Sequence, residues 1–379
     1  MSQSSEPVVT LPTSKRTLHI VDWLPPDFGA VGQYALAWCR GLAGQGQDVT
    51  IAGLSSSESS IEEEQHGEGR LRVIRLQTPA VDKKSFAKRM LWMVKTNIRL
   101  LWHLRREMKR AHEIVFSGSP PYMLWFIWPI AGRAFGKHLV YRISDFHPEC
   151  LMAGLKRVPW PLYLLEALTI SIRKQINGFE VLGEDMRQRI LAQGIENERV
   201  CLRRDPSPVS VPAGTEPLPT PDALKGLKIL LYSGNFGYAH DDATFVEAYI
   251  RHHHEGSGRV GLWLNAGGMK ADRVEAALRA AKVPVHRGST LPIEQLPNLL
   301  ATPDAHLVTL LDGFVGHVLP SKIYGAIESQ KQVLFVGSAA SDVELLCLEG
   351  LPQGHYHRAS VGDVDGVFRA LEAIGRQDA

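Results

Sequence analysis

Short runs of apolar, often β-branched residues recur along the chain. Each is followed by a longer stretch in which apolar positions return every three or four residues. Unbroken apolar runs suit strands buried on both faces, and the helical return suits elements that cover such a sheet. In the first half the runs predict strands at 18–22, 49–53, 71–76, 114–117, 138–143, 179–182 and 200–203, with helices such as 31–43 and 160–175 between them. In the second half they predict strands at 228–233, 261–265, 283–286, 305–310 and 332–336, each leading into a helical stretch. Strand–helix alternation of this kind defines an α/β chain with parallel sheets.

The rhythm breaks once. Between Asp205 and Gly226 the chain carries Pro206, Pro208, Pro212, Pro217, Pro219 and Pro221. Proline lacks the amide that a sheet ladder needs, so this segment reads as an extended linker. The expected organisation is a flexible N-terminus at 1–16, a Rossmann-like domain at 17–205, the linker at 206–226 and a second Rossmann-like domain at 227–379. Two doubly wound domains of this kind hold ligands at the carboxyl ends of their strands, here expected to face a central cleft.

Composition changes little in this picture. The 379 residues suffice for two separate cores, and 44% hydrophobic with 22% charged residues is the balance of a globular protein. A formal charge of +2 leaves any electrostatic message to local clusters. Cys39, Cys150, Cys201 and Cys347 are far apart in sequence and form no C-x-x-C pair, so they read as free thiols in a reducing cytoplasm. The polar first sixteen residues carry no secretory h-region. The most apolar window, 123–130, is stopped by Pro129 and Arg133 and is too short to span a bilayer.

Four stretches carry candidate chemistry. L-P-S-K-I-Y-G, beginning at Leu319, brings Ser321 and Lys322 to a helix start just before the apolar run 332–336. A hydroxyl, an ammonium and unpaired amides at one helix N-terminus form a site for a diphosphate. After the first strand, P-P-D-F-G-A-V-G places Gly29 and Gly32 in a strand-to-helix turn; a plain turn and a close ligand approach are both open readings. R-I-S-D-F-H-P-E, from Arg142, puts Asp145 and His147 at a strand end. Either could take or orient a hydroxyl proton, or Arg142 and Asp145 could simply pair. Y-S-G-N-F-G opens the second domain with Gly234, Asn235 and Gly237, which present backbone donors to a phosphate or sugar, or else form an ordinary Asn turn.

A fifth stretch, 83–110, holds ten lysines and arginines against the single acid Glu107, with Met90, Val94, Ile98, Leu101, Leu104 and Met108 at helical spacing and Trp92 and Trp102 nearby. It reads either as a helix for an anionic membrane surface or as a core-packing helix with a solvated basic face. Nucleic acid is not expected, since no recognition motif accompanies the charge.

Taken in order, P-P-D-F-G-A-V-G-Q-Y, S-P-P at 119–121, R-I-S-D-F-H-P-E, Y-S-G-N-F-G and P-S-K-I-Y-G resemble the retaining glycosyltransferases of the GT-B fold, family 4, of the bacterial cell-surface polysaccharide type. The resemblance runs from about Thr17 to Arg369. It implies an enzyme that moves a sugar from a nucleotide-sugar donor to the hydroxyl of a lipid-linked or saccharide acceptor with retained anomeric configuration and no bound metal or other cofactor. It places the protein in the cytoplasm, with peripheral contact at the inner membrane face.

Residue by residue, the resemblance puts the donor diphosphate near Ser321, Lys322 and the turn of Gly234, Asn235 and Gly237. Gly29 and Gly32 lie under the reacting phosphate and sugar, Asp145 and His147 orient hydroxyls, and Arg287 and Gly288 line the base pocket. The chain departs from the family where a ribose-binding glutamate is expected, at Gly325, and where Gln330 and Gln332 replace a Gly and a Pro. Glu328, one helical turn on, is the candidate substitute, and Asp312 is the acid nearest to the sugar-side glutamate. Two other functions fit the same fold: a catalytically idle binding or scaffold subunit of a polysaccharide assembly, and a nucleotide-sugar epimerase.

Overall fold

A computed structural model describes residues 16–27, 30–79, 86–118, 122–289 and 291–376. Gly29, the S-P-P motif at 119–121, Lys83, Lys84 and residues 1–15 of the expected N-terminal extension lie outside the described residues, while Arg16 already belongs to a strand. The described chain falls into two compact units. One comprises 16–147, Leu165–Glu180 and Gly194–Cys201; the other comprises Pro148–Leu164, Val181–Gln193 and 202–376.

In chain order the first unit and its connections contain β1 (Arg16–Trp23), α1 (Ala30–Gly44), β2 (Asp48–Ser55), β3 (Ser60–His66), β4 (Gly69–Gln77), α2 (Phe86–Arg110), β5 (Glu113–Ser117), α3 (Met123–Ile127), β6 (His138–Ile143), α4 (Glu149–Ala153), α5 (Trp160–Arg173), β7 (Gly178–Val181), α6 (Glu184–Ala192) and β8 (Val200–Leu202). The sheet runs β3-β4-β2-β1-β5-β6-β7-β8. Parallel pairing links β4, β2, β1, β5 and β6. The strand order reverses between β1 and β5, so a crevice opens at their carboxyl ends.

The expected strands of this half appear within one or two residues of their places. β3 does not belong to that pattern. Its sequence S-I-E-E-E-Q-H has no apolar run because it is an antiparallel edge strand, held to β4 by charge: Arg75 pairs with Glu62 at 2.7 Å and Arg72 with Glu63 at 3.6 Å. Arg40 of α1 closes on Glu64 at 2.8 Å. A charged edge also discourages pairing with another chain.

Gly32 lets α1 lie directly on β1: a Cβ at this position would be driven into the carbonyl oxygen of Trp23. In α2, Met93, Asn97, Leu100, Leu101, Leu104 and Met108 are buried, whereas Leu91, Ile98 and Trp102 stand exposed among Lys88, Lys95, Arg99 and Arg106. The buried face is rotated from the one the helical spacing predicts: Met90 and Ile98 are outside, and Leu101, Leu104 and Met108 are inside.

The second unit continues with β9 (Lys228–Asn235), α7 (Ala243–His254), β10 (Val260–Gly267), α8 (Met269–Ala280), β11 (Val285–Arg287), α9 (Leu296–Ala301), β12 (Ala305–Thr309), α10 (Lys322–Glu328), β13 (Gln332–Val336), α11 (Asp342–Gly350), β14 (Tyr356–Ala359) and α12 (Val364–Arg376). Its sheet, β11-β10-β9-β12-β13-β14, is parallel throughout. The order reverses between β9 and β12, which puts the ligand crevice of a doubly wound sheet at Gly234 and Thr309.

One face of this sheet buries Tyr232, Phe236, Phe245, Tyr249, Leu262, Leu264 and Val336 in a single core. The Tyr249 hydroxyl is satisfied inside it, donating to the Pro284 carbonyl at 2.6 Å and accepting from the Leu262 amide at 2.8 Å. Among the described residues no helix of the chain is long and apolar enough to cross a membrane.

Candidate functional site

In the second unit the sequence motifs meet at the β9–β12 switch point. At the end of β9, Gly234 has a φ of 102°, a left-handed value suited to glycine, and the backbone turns beyond Asn235 through Gly237. Asn235 is exposed, and its carbonyl accepts from the Tyr232 hydroxyl at 3.3 Å. Tyr232 stacks on Phe236 at 4.1 Å, and the His240 ring stands edge-on to both.

Onto this stack α10 delivers Lys322. Its ammonium lies 4.7 Å above the Tyr232 ring and 3.2 Å from His240 Nε2. The other ring nitrogen, His240 Nδ1, is 2.6 Å from the Thr309 carbonyl. A carbonyl can only accept, so Nδ1 carries the proton and Nε2 offers its lone pair to the lysine. Lys270 donates to the carbonyls of Tyr238 and His240 and pairs with Asp242 at 3.3 Å.

These neighbours set the charges. Burial pushes the Lys322 ammonium down to about 7. Burial first, then the Lys322 charge, holds His240 well below the usual histidine range, opposed by the Thr309 carbonyl, with Lys270 adding slightly to the shift. Among the described residues no carboxylate lies within ion-pair reach of Lys322. A cation sunk beside a neutral histidine and an aromatic face, with no acid to balance it, is poised for an incoming anion.

The remaining expected contacts of this unit lie elsewhere or are already engaged. Ser321 sits at the N-cap of α10 and makes no side-chain cap bond. Arg287 is tied to Asp272 at 3.0 Å and faces Glu275 at 3.8 Å, so its guanidinium serves the α8 surface. At Gly288 a Cβ would meet the side-chain ends of Asn265 and Trp263. Glu328 accepts from the Val211 amide at 3.3 Å and lines a cavity of about 290 Å³ with Arg204, Tyr324 and Glu349. It holds the linker rather than joining Lys322. Gly325 is buried, and a Cβ there would press on the Leu300 side chain at 3.1 Å, so a larger residue at this position needs Leu300 to shift. Asp312 is exposed.

The first unit gathers a second set of groups at its own strand ends. Asp145 follows β6, and burial raises its carboxyl above the usual range, opposed by His147. Asp22, near the end of β1, is raised to about 6 by burial, with Asp145 adding to the shift and the backbone amides of Trp23 and Asp22 opposing it. Asp22 Oδ1 is buried without a hydrogen-bond partner. The Asp145 charge therefore reaches Asp22. Arg142, which the sequence could have paired with Asp145, bonds Glu180 at 3.1 Å.

His147 lies 6.0 Å from the Tyr122 ring. Its carbonyl accepts from Arg173 at 2.9 Å, and Arg173, fully buried, also covers the Phe146 ring at 5.1 Å. One helix residue thus fixes the loop that carries Asp145 and His147. Gly32, in the same unit, packs on the backbone of Trp23 and Leu24.

Asp22, Arg173, His240 and Lys270 did not emerge from the sequence as site residues. A signal existed for two of them: Asp22 is the polar residue closing a buried strand, and His240 follows the Gly-rich turn in G-Y-A-H-D-D. Arg173 and Lys270 reach their partners from distant helices, and nothing local marks them. Among the described residues no three His, Cys, Asp or Glu side chains gather as a metal site.

Two doubly wound, mostly parallel units in one chain define the GT-B architecture expected from the motifs. Residues 29–204 match the family described as the glycosyl transferase 4-like domain, and the family 4-like GT-B expectation is borne out. Over 242 residues the chain is 25% identical to a probable glycosyltransferase, WbjE, of Pseudomonas aeruginosa, an overlap of 62% of this chain and 60% of that relative's length. Among solved structures, a trehalose-6-phosphate protein from E. coli bound with UDP-2-fluoro glucose matches 96% of this chain and 92% of its own at 11% identity, with a TM-score of 0.63. WaaG, a glycosyltransferase involved in lipopolysaccharide biosynthesis, matches 96% of this chain and 90% of its own at 14% identity, with a TM-score of 0.61. At these identities the structural likeness establishes the fold.

Proposed function

We propose that the chain is a glycosyltransferase of cell-surface polysaccharide or lipopolysaccharide assembly, moving a sugar from a nucleotide-sugar to the hydroxyl of a lipid-linked or saccharide acceptor. The observation that carries this reading is the Lys322 ammonium, held over Tyr232 by neutral His240 at the switch point of the second sheet. The glycosyl transferase 4-like match and the UDP-sugar bound by a protein of the same fold support it.

In this reading the donor diphosphate lies against Lys322, the Ser321 hydroxyl and the Gly234–Gly237 turn. Lys322, charged once the diphosphate lies against it, balances the negative charge that develops on the departing nucleoside diphosphate and so stabilises the leaving group without a metal cofactor. Asp145 and His147, with Asp22, orient hydroxyls in the first unit. The sugar keeps its anomeric configuration. The outer face of α2, with Lys95, Arg99 and Trp102, turns toward an anionic membrane.

The test is turnover with radiolabelled UDP-, GDP- and ADP-sugars in the presence of a lipid extract and of short saccharides. Label moving to an acceptor, with retained configuration by NMR, is the expected result. Consumption of donor without acceptor would instead identify an epimerase. Gly325, which leaves no acid at the ribose position, favours one further reading, an idle binding subunit; that reading requires no turnover with any donor.

A further inference from the structure

α5 presents its apolar face to solvent. Trp160, Tyr163, Leu164 and Leu168 follow one another at i, i+3, i+4 and i+8, so they share one side of the helix, and they are 74%, 55%, 52% and 45% exposed. The opposite side is the packed one, where Thr169 and Arg173 are buried and Thr169 Oγ1 bonds the Trp125 indole at 3.2 Å. Just before the helix, Leu151 and Leu155 are also exposed.

We infer that this face of α5 is a docking surface for an anionic lipid bilayer, with Trp160, Tyr163, Leu164 and Leu168 in the headgroup–acyl boundary and Lys156 and Arg157 on lipid headgroups. The charge around the face selects this partner. Over 151–175 the exposed charges are Lys156, Arg157 and Lys174, all positive, and the one acid, Glu166, is half-buried. Tryptophan and tyrosine have an apolar body and a polar tip, which suits the membrane–water boundary better than a dry protein contact. At fourteen residues α5 is too short to span a bilayer and suits lying in its plane.

This surface differs from that of α2, which spends most of its apolar side chains on the core and leaves a thinner stripe outside. Membrane contact through α5 does not depend on the identity of the nucleotide, and the two can be tested apart.

The experiment is co-sedimentation of the full chain with sucrose-loaded vesicles of phosphatidylcholine, with and without phosphatidylglycerol. The wild type is expected to partition onto the vesicles, more strongly with phosphatidylglycerol. Trp160→Ser/Tyr163→Ser/Leu164→Ser should lose about tenfold or more of that partitioning, with unchanged circular dichroism and melting, because the three side chains are exposed. Lys156→Glu/Arg157→Glu should lose a comparable factor on phosphatidylglycerol vesicles only. Trp160→Phe should keep the binding and reduce the vesicle-induced blue shift in emission. With the outer face of α2 already changed by Lys95→Glu/Trp102→Ser, partitioning that survives the triple substitution would overturn the inference. So would a wild type that ignores vesicles and forms a dimer which the triple substitution dissolves, since the face would then belong to a second copy.

Discussion

Lys322 is a lysine whose charge is conditional. A free lysine titrates near ~10.5, whereas burial holds this one at about 7. An anion landing on it restores the charge, so the complex takes up a proton that the free protein has lost. The sign follows: above pH 7 affinity for a nucleoside diphosphate should fall as pH rises, by up to about tenfold per pH unit. Lys322→Arg should flatten that slope, because a guanidinium stays charged throughout. Calorimetric titrations with UDP, GDP and ADP between pH 7 and 9 measure it; a slope unaltered by the substitution would move the linkage to another group.

Asp22 works in the opposite direction. Its carboxyl is raised to about 6, so the folded chain keeps a proton that the unfolded chain releases near ~3.9, and stability falls as pH rises through that window. Asp22→Asn removes the buried charge. At pH 8 it should raise unfolding stability by on the order of 1–3 kcal/mol while lowering sugar transfer, the trade expected of a functional acid. A variant less stable than the wild type would mean that Asp22 is paired in the fold and not strained by it.

At the scale of elements, buried strands were legible because burial on both faces leaves an apolar run, as in Ile114–Val115–Phe116 and Leu307–Val308. β3 was not, since its glutamates face arginines across an edge and alternate with nothing apolar. α2 was legible as a helix but not in rotation, because apolar and basic residues occupy both of its sides. Core and surface substitutions separate those sides. Leu104→Ala, at 1% exposure, should cost about 2–5 kcal/mol in denaturant unfolding. Ile98→Ala, at 54%, should stay within about 0.5 kcal/mol. Equal costs would mean that the helix packs on another face.

Across the whole molecule, the α/β rhythm carried the architecture, and the motif order carried the family. The site was only half legible. Lys322 and the Gly234–Gly237 turn are local in sequence and come together as expected through Tyr232 and Phe236. Glu328 follows from helical spacing and Arg287 from the family resemblance, and each has a neighbour that neither shows, the Val211 amide and the acids of α8. His240 and Arg173 act through partners 82 and 26 residues away, a separation no local pattern encodes. Central to the account is that a nucleoside diphosphate binds at Lys322. The direct measurement is calorimetry of UDP, GDP and ADP with wild type and Lys322→Ala at pH 7. The account predicts that one of these nucleotides binds the wild type and that the substitution weakens it by about 1.5–3 kcal/mol. An equally tight complex with a folded Lys322→Ala protein, or no heat with any nucleotide on the wild type, would contradict it.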